Sequence, residues 1–298
     1  MNEKTIDKIR NAGGRMVIGT PDDQSNVTTL MPLGNILYAV KEKGIYAIKL
    51  ADDIDPARTN PAIPHVQQRI VALGSDSPLV GQTLLTAKEL FSDKILPNWF
   101  DCTQAILCSL EALKDLAAVC ELKDSFTNAE TKEIAGLDSQ SASKGSLILP
   151  AIGDVDARCK TFFQKADHAS RSLLDIVKLF YKKLHGIRGM ADLIQYAKKQ
   201  YGEGDSLVMY LESIAPTLRY VRDTRNCLEH PNPPAMQANI SDFSLRPDGI
   251  IARPSIEVIA GREHYPAADI SAVMTELSQT LPQIFEGALA YARRTSSQ

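Results

Sequence analysis

Leu207, Leu211, Ile214, Leu218, Val221, Arg225 and Leu228 recur at alternating spacings of four and three residues. That period lines all of them along one stripe of an α-helix, so the segment predicts a long helix that buries this stripe. Pro216 falls inside the pattern and, lacking a backbone donor, is expected to kink the helix or restart it. The run PNPP at 231–234 ends it, because the first proline disfavours helical backbone at His230. One member of the stripe is ill suited to burial. A guanidinium does not shed its proton, so Arg225 among aliphatic neighbours demands an anion or several acceptors.

Helical periods dominate the chain from about Val80. Leu84, Leu85, Ala87, Leu90 and Phe91 predict a short helix. Asp101 with Gln104 forms a capping box for a second, running to about Leu122 with Leu107, Cys108, Leu113, Ala117 and Cys120 inward. Residues 123–153 are rich in Ser, Asp and Lys without a period and read as a long exposed loop. A third helix is expected over about 155–184, with Cys159, Phe162, Phe163, Ala166, Leu173, Val177, Phe180 and Leu184 in one stripe. A smaller helix, MADLIQYAKKQY, follows Gly189. The last, about 267–294, carries Ile270, Val273, Leu277, Leu281, Ile284, Phe285 and Leu289.

The β signals lie outside this body. ILYAVKEKGIYAIKL (36–50) reads as a hairpin of two β-branched and aromatic runs. Pro56, Pro61 and Pro64 then favour an extended arm. DFSLRPDGIIARPSIEVI (242–259) predicts a second hairpin turning on RPDG. The expected fold is therefore mainly α: residues 1–80 as an N-terminal β-hairpin and extended arm, and residues 81–298 as an antiparallel helical bundle with a second hairpin before the last helix. No internal repeat is present.

The formal charge of −3 spread over 298 residues provides no global field for nucleic acid or an anionic membrane, so any nucleic-acid contact must use a local patch. No apolar stretch approaches a membrane span, and the opening MNEKTIDKIRNAGG is too polar for a secretory signal. The five cysteines show neither metal-ligand spacing nor a disulfide framework. Free thiols in a reducing cytoplasm are expected.

The run RDTRNCLEHPN (222–232) is the strongest functional candidate. Arg225 can be satisfied by Glu229 at i+4, by an acid across an interface, or by a bound phosphate. Arg222, Asn226 and His230 share a neighbouring face. His230 sits in the last turn, where the helix dipole favours the imidazolium. Guanidinium and imidazole side by side suit phosphodiester chemistry without a metal: arginine neutralises phosphoryl oxygens while histidine moves a proton.

RNCLEH (225–230) resembles the R-x4-6-H motif of the HEPN (higher eukaryote and prokaryote nucleotide-binding) superfamily, including the polar residue after the arginine. The resemblance covers residues 80–298 in outline and 225–230 in detail. It implies a helical bundle, a homodimer, and a metal-independent, cofactor-free endoribonuclease of a toxin–antitoxin or antiviral defence system, with an antitoxin or other defence protein as partner. Arg225 and His230 would be the catalytic pair, Asn226 their polar support, and Arg222 and Glu229 would bind substrate RNA. Two copies of the motif would meet across the dimer interface. His230 would then manage the proton of a 2′-hydroxyl attack. The same resemblance admits a non-catalytic binding or dimerisation module, which the low basic charge favours.

Other candidates are weaker. Asp167 and Arg171 predict a surface ion pair beside an exposed His168. His264 lies on a loop before the last helix, and His65 and His185 read as structural or solvent-facing. Neither NAGG nor LGSDSPLVG has phosphate-loop spacing, Gly74–Ser75 lacks the downstream carboxylates of a nucleotidyltransferase, and no G-x-S-x-G elbow occurs. Cys227 is expected to be a packed helical thiol. A third possibility is a nucleotide or small-ligand sensor using the N-terminal β region.

Overall fold

A computed structural model describes residues 5–12, 16–92, 96–97, 99–137, 146–180 and 189–296. The chain divides into two compact units, Met1–Leu107 and Cys108–Gln298.

In the first unit, α1 (Thr5–Asn11) precedes strands β1 (Val27–Leu33), β2 (Ile36–Lys41) and β3 (Ile45–Lys49). After α2 (Ala51–Ile54), β4 (Val66–Val71) completes a four-stranded antiparallel sheet of order β1-β2-β3-β4. The 36–50 hairpin is thus present as β2 and β3, pairing Leu37 with Ile48 and Val40 with Ile45. The expected extended arm is corrected, since its end, VQQRIV, is the fourth strand. β4 sits at the sheet edge and is exposed along most of its length. It carries no alternating apolar signal.

The central strands bury Ala39, Val40, Ile45 and Ile48 completely. Lys41 is also buried. Its Nζ donates to the carbonyls of Ile18 and Asp23, both at 2.8 Å, and lies 3.2 Å from Asp23 Oδ2. Hydrogen bonds from Ser25 and Tyr46 hold the Asp23 carboxyl well below the usual carboxylate range. His65 is structural, its Nδ1 accepting the Ala51 amide at 2.9 Å. A loop packs against the β2–β3 turn through Gly74. A Cβ there would stand 2.1 Å from the Lys41 carbonyl oxygen, so only glycine permits the approach. The sheet is followed by α3 (Pro78–Val80), a π turn (Gly81–Leu85) and α4 (Thr86–Leu90).

The boundary between units falls inside α5 (Cys102–Leu137). Asp101 Oδ1 accepts the Gln104 amide at 2.8 Å, as the capping residues predict. The helix does not stop near Leu122, and the exposed-loop reading of 123–153 is corrected over 123–137. Leu116, Val119, Phe126 and Glu130 are all buried, so the seam continues through charged residues that conceal its period. Residues 138–145 of that expected loop lie outside the described residues.

Next come α6 (Val155–Phe180), α7 (Met190–Tyr201) and α8 (Ser206–Glu229). Leu184 and His185 lie outside the described residues. α8 is one continuous helix and does not restart at Pro216. The proline is on the exposed side, where a carbonyl deprived of its helical donor can meet solvent. Strands β5 (Met236–Ser241), β6 (Ser244–Leu245), β7 (Ile251–Ala252), β8 (Ser255–Ala260) and β9 (Glu263–Asp269) precede α9 (Ile270–Ser296). α8 packs against α6 and α7, α6 also against α9, and β5 and β8 lie on α8.

The RPDG turn is present between β6 and β7, with the Arg246 amide donating to the Ile250 carbonyl at 2.9 Å. A three-stranded antiparallel sheet of order β5-β8-β9 accompanies it. The expectation of a mainly α bundle with β additions at its ends is therefore corrected: the fold is mixed α/β, with 54% of the described residues helical and 19% in strands. Only the central strand β8 buries a clear face, through Ile256 and Val258. β5 and β9 are flanking strands rich in polar or exposed residues. Pro266 interrupts β9 where the pairing register shifts, which removes the usual strand signal.

Gly74→Ala is expected to destabilise the protein by about 1–3 kcal/mol through overpacking, read as a lower urea midpoint. Gly136→Ala, with nothing within 4 Å of the new methyl, should leave the midpoint unchanged or raise it.

Candidate functional site

α8 is capped by Asp205, whose side chain accepts the Leu207 amide at 2.8 Å. The helix buries Leu207, Val208, Leu211, Ile214, Leu218, Val221, Thr224 and Cys227. The aliphatic stripe thus holds until Val221 and then passes to Thr224 and Cys227, leaving Arg225 half-buried at its edge. A seven-residue repeat on a straight helix drifts by about 20° per heptad. The sheet also covers the Cys227 side of the last turn. Cys227 Sγ donates to the Ile259 carbonyl at 3.2 Å, and Tyr265 donates to Asp223 Oδ2 at 2.9 Å.

Two arms of the Arg225 guanidinium are engaged, and the third faces a carboxylate beyond hydrogen-bond distance. Nη2 is ion-paired with Glu229, Nη1 donates to Asn226 Oδ1 at 3.1 Å, and Nε lies 3.9 Å from Asp167 Oδ2. Asp167 comes from α6 and is buried, and Arg171 Nη2 meets its carboxylate at 2.5 Å. The result is an alternating chain, Arg171–Asp167–Arg225–Glu229, linking α6 to the end of α8. The expected surface pair of Asp167 and Arg171 is corrected accordingly: its acid is interior. The signal was available in the register, because Asp167 stands four residues after the buried Phe163.

His230 is the C-cap. Its amide donates to the Asn226 carbonyl at 2.8 Å, and its φ of −134° reflects the following proline. The imidazole side chain is 71% exposed, with Nε2 3.9 Å from Glu229 Oε2. Arg225, Asn226 and Glu229 are thus brought together, joined by Asp167 and Arg171. His230 faces solvent beside them. Arg222 is exposed one turn earlier. His264 lies on β9 bonded to Glu257 Oε1 at 2.8 Å, and His168 is half-buried on α6.

Arg222 opens onto a cleft of about 1000 Å³ walled by α6, α7 and α8. Asp167 and Arg171 contribute from α6, Arg219 from α8, and Leu174, Ile194 and Leu218 supply apolar lining. Arg171 is engaged by Asp167, and Arg219 by Glu263 at 3.3 Å. Arg222 has no carboxylate partner among the described residues. Sequence reasoning missed this cleft, because its walls come from three helices whose packing no local pattern encodes.

Cys120, Cys159 and Cys227 are free thiols. Burial pushes the Cys159 thiol up to about 12 and raises that of Cys227, so neither supplies a thiolate nucleophile at neutral pH. Among the described residues no metal-binding group of His, Cys, Asp and Glu is gathered, and no helix is long and apolar enough to cross a membrane. No protein-family model, curated protein or solved structure matches the chain.

A double-mutant cycle of Arg225→Ala with Glu229→Ala should return a coupling of about 1–3 kcal/mol, measured by chemical denaturation. A value near zero would remove the ion pair from the account. Native protein titrated with a thiol reagent at pH 8 should leave Cys159 and Cys227 unmodified, with both reacting after denaturation.

Proposed function

We propose that the second unit is a HEPN-like binding module that takes an anionic ligand of the nucleotide class in the α6–α7–α8 cleft. Arg222 meets the ligand's charge, and Arg225 clamps the wall behind it. The carrying observation is the division of labour between the two arginines. Arg225 is engaged by Glu229, Asn226 and Asp167. Recruiting it to a phosphate would disrupt that network, whereas the cleft carboxylates Asp167, Asp175 and Glu212 are already met by Arg171, Lys178 and Lys198. Arg222 faces the cleft without a carboxylate partner among the described residues, above apolar side chains that suit a base or sugar. The free thiols of Cys120, Cys159 and Cys227 fit a reducing, cytoplasmic setting.

A second reading is the metal-independent endoribonuclease, active as a homodimer and held in check by an antitoxin or defence-system partner. His230 favours it. The imidazole projects into solvent directly after Arg225, Asn226 and Glu229, where a second copy of the motif has access. In that reading the carboxylates preorganise Arg225 for the dimer.

Equilibrium dialysis of the full chain against AMP and ATP should give saturable binding, weakened about tenfold or more by Arg222→Ala, the loss expected for one charge-assisted contact. Arg225→Ala should lower the melting temperature. Absence of saturable binding, or binding indifferent to Arg222→Ala, refutes the cleft. RNA cleavage in chelator-containing buffer that disappears in His230→Ala would replace the module by the nuclease.

A further inference from the structure

The interior charges of this protein are, with one exception among the described residues, matched by partners. Lys41 is held by Asp23 and two carbonyls. Arg10, with a side chain only 6% exposed, meets Asp52 and Asp55. Asp167 faces Arg171 and Arg225. Glu130 is the exception. It is 3% exposed, its Oε1 is fully covered without a hydrogen-bond partner, and no cation is paired with it among the described residues. One turn earlier on the same face of α5, the Thr127 hydroxyl is likewise covered and unbonded. An orphaned buried carboxylate oxygen carries a desolvation penalty that nothing in the chain offsets.

Both side chains line the same concavity, about 650 Å³, between α5 and α9. Its other charged residues are Asp269, Glu276 and Arg253, all exposed. Three carboxylates therefore face one arginine, and the acidic group with no partner is the one buried in the wall. The missing element is a donor with positive charge.

We propose that this concavity is a binding site for a small organic polyammonium ligand, of the polyamine class. On binding, Glu130 and Thr127 turn out of their covered positions so that one ammonium donates to both, and a second ammonium lies between Asp269 and Glu276 at the mouth. An ammonium carries three N–H donors and no acceptor, which matches a carboxylate oxygen and a hydroxyl left without hydrogen bonds. The flexible chain between ammonium groups lies along the apolar parts of Ile134, Ala272 and Thr275. Arg253 is the internal competitor, as the cationic residue in the lining.

The site shares no lining residue with the α6–α7–α8 cleft, so it stands or falls independently of the nucleotide reading. Isothermal titration of the full chain with spermidine at low ionic strength should give saturable binding and a raised melting temperature. Glu130→Gln keeps the shape and should weaken binding about tenfold or more, since it replaces a charge-assisted contact by a neutral one. Arg253→Ala removes the competitor and should leave affinity unchanged or increase it. The proposal is overturned if spermidine shows no saturable binding. It is equally overturned if Glu130→Gln binds as tightly as the parent, because the exposed carboxylates alone would then account for the heat. Should Glu130→Gln fail to fold, Thr127→Val supplies the second variant, with the same expected weakening and the same refuting result.

Discussion

A charged side chain withdrawn from water must find countercharge or hydrogen bonds, and much of this fold is arranged around that constraint. At the end of α8 the permanent charge of Arg225 draws Glu229 from its own helix and Asp167 from α6. Asp167 in turn holds Arg171. In the first unit the same logic operates around Lys41, which binds the segment containing Ile18 and Asp23 to the centre of the sheet. These contacts are directional, and they specify which segments meet in a way that non-directional apolar packing cannot.

The consequence for function lies in how the two arginines of α8 are used. They are three residues apart, so they project from adjacent positions of the helix, yet their environments differ completely. Arg225 is turned into a charge chain that ties two helices together. Arg222 is left toward a cleft whose remaining cations are largely engaged elsewhere. Within the chain Arg225 ties the end of α8 to α6, because its neighbouring anions are carboxylates of the same chain. His230 escapes this arrangement because the proline after it ends the helix and turns its ring to solvent.

α5 shows the opposite outcome of the same physics. Its buried face runs on past Leu116 and Val119 to Phe126 and Glu130, and the charge at the far end has no counterpart among the described residues. There it lines one concavity together with residues of α9. Where the other interior charges consolidate the fold, Glu130 leaves a place for something outside it.

The sequence alone determined the long periodic helices, the 36–50 hairpin, the RPDG turn, the Asp101 cap and the point at which Pro231 stops α8, because each depends on neighbours within a few residues. It also marked Arg225 as a side chain in need of an anion and put Glu229 within reach. It did not determine the fourth strand of the first sheet, the sheet over the end of α8 or the continuation of α5. β4, β5 and β9 are polar or exposed, and the seam of α5 is interrupted by charge, so their apolar periods are faint. Which anions reached Arg225 was settled by the packing of α6 on α8, which carried Asp167 from a predicted surface pair into the interior. The cleft beside Arg222 and the orphaned carboxylate of Glu130 likewise exist only in the folded chain. Both depend on which side chains distant in sequence come close, and which fail to, and local periodicity holds no information about that distance.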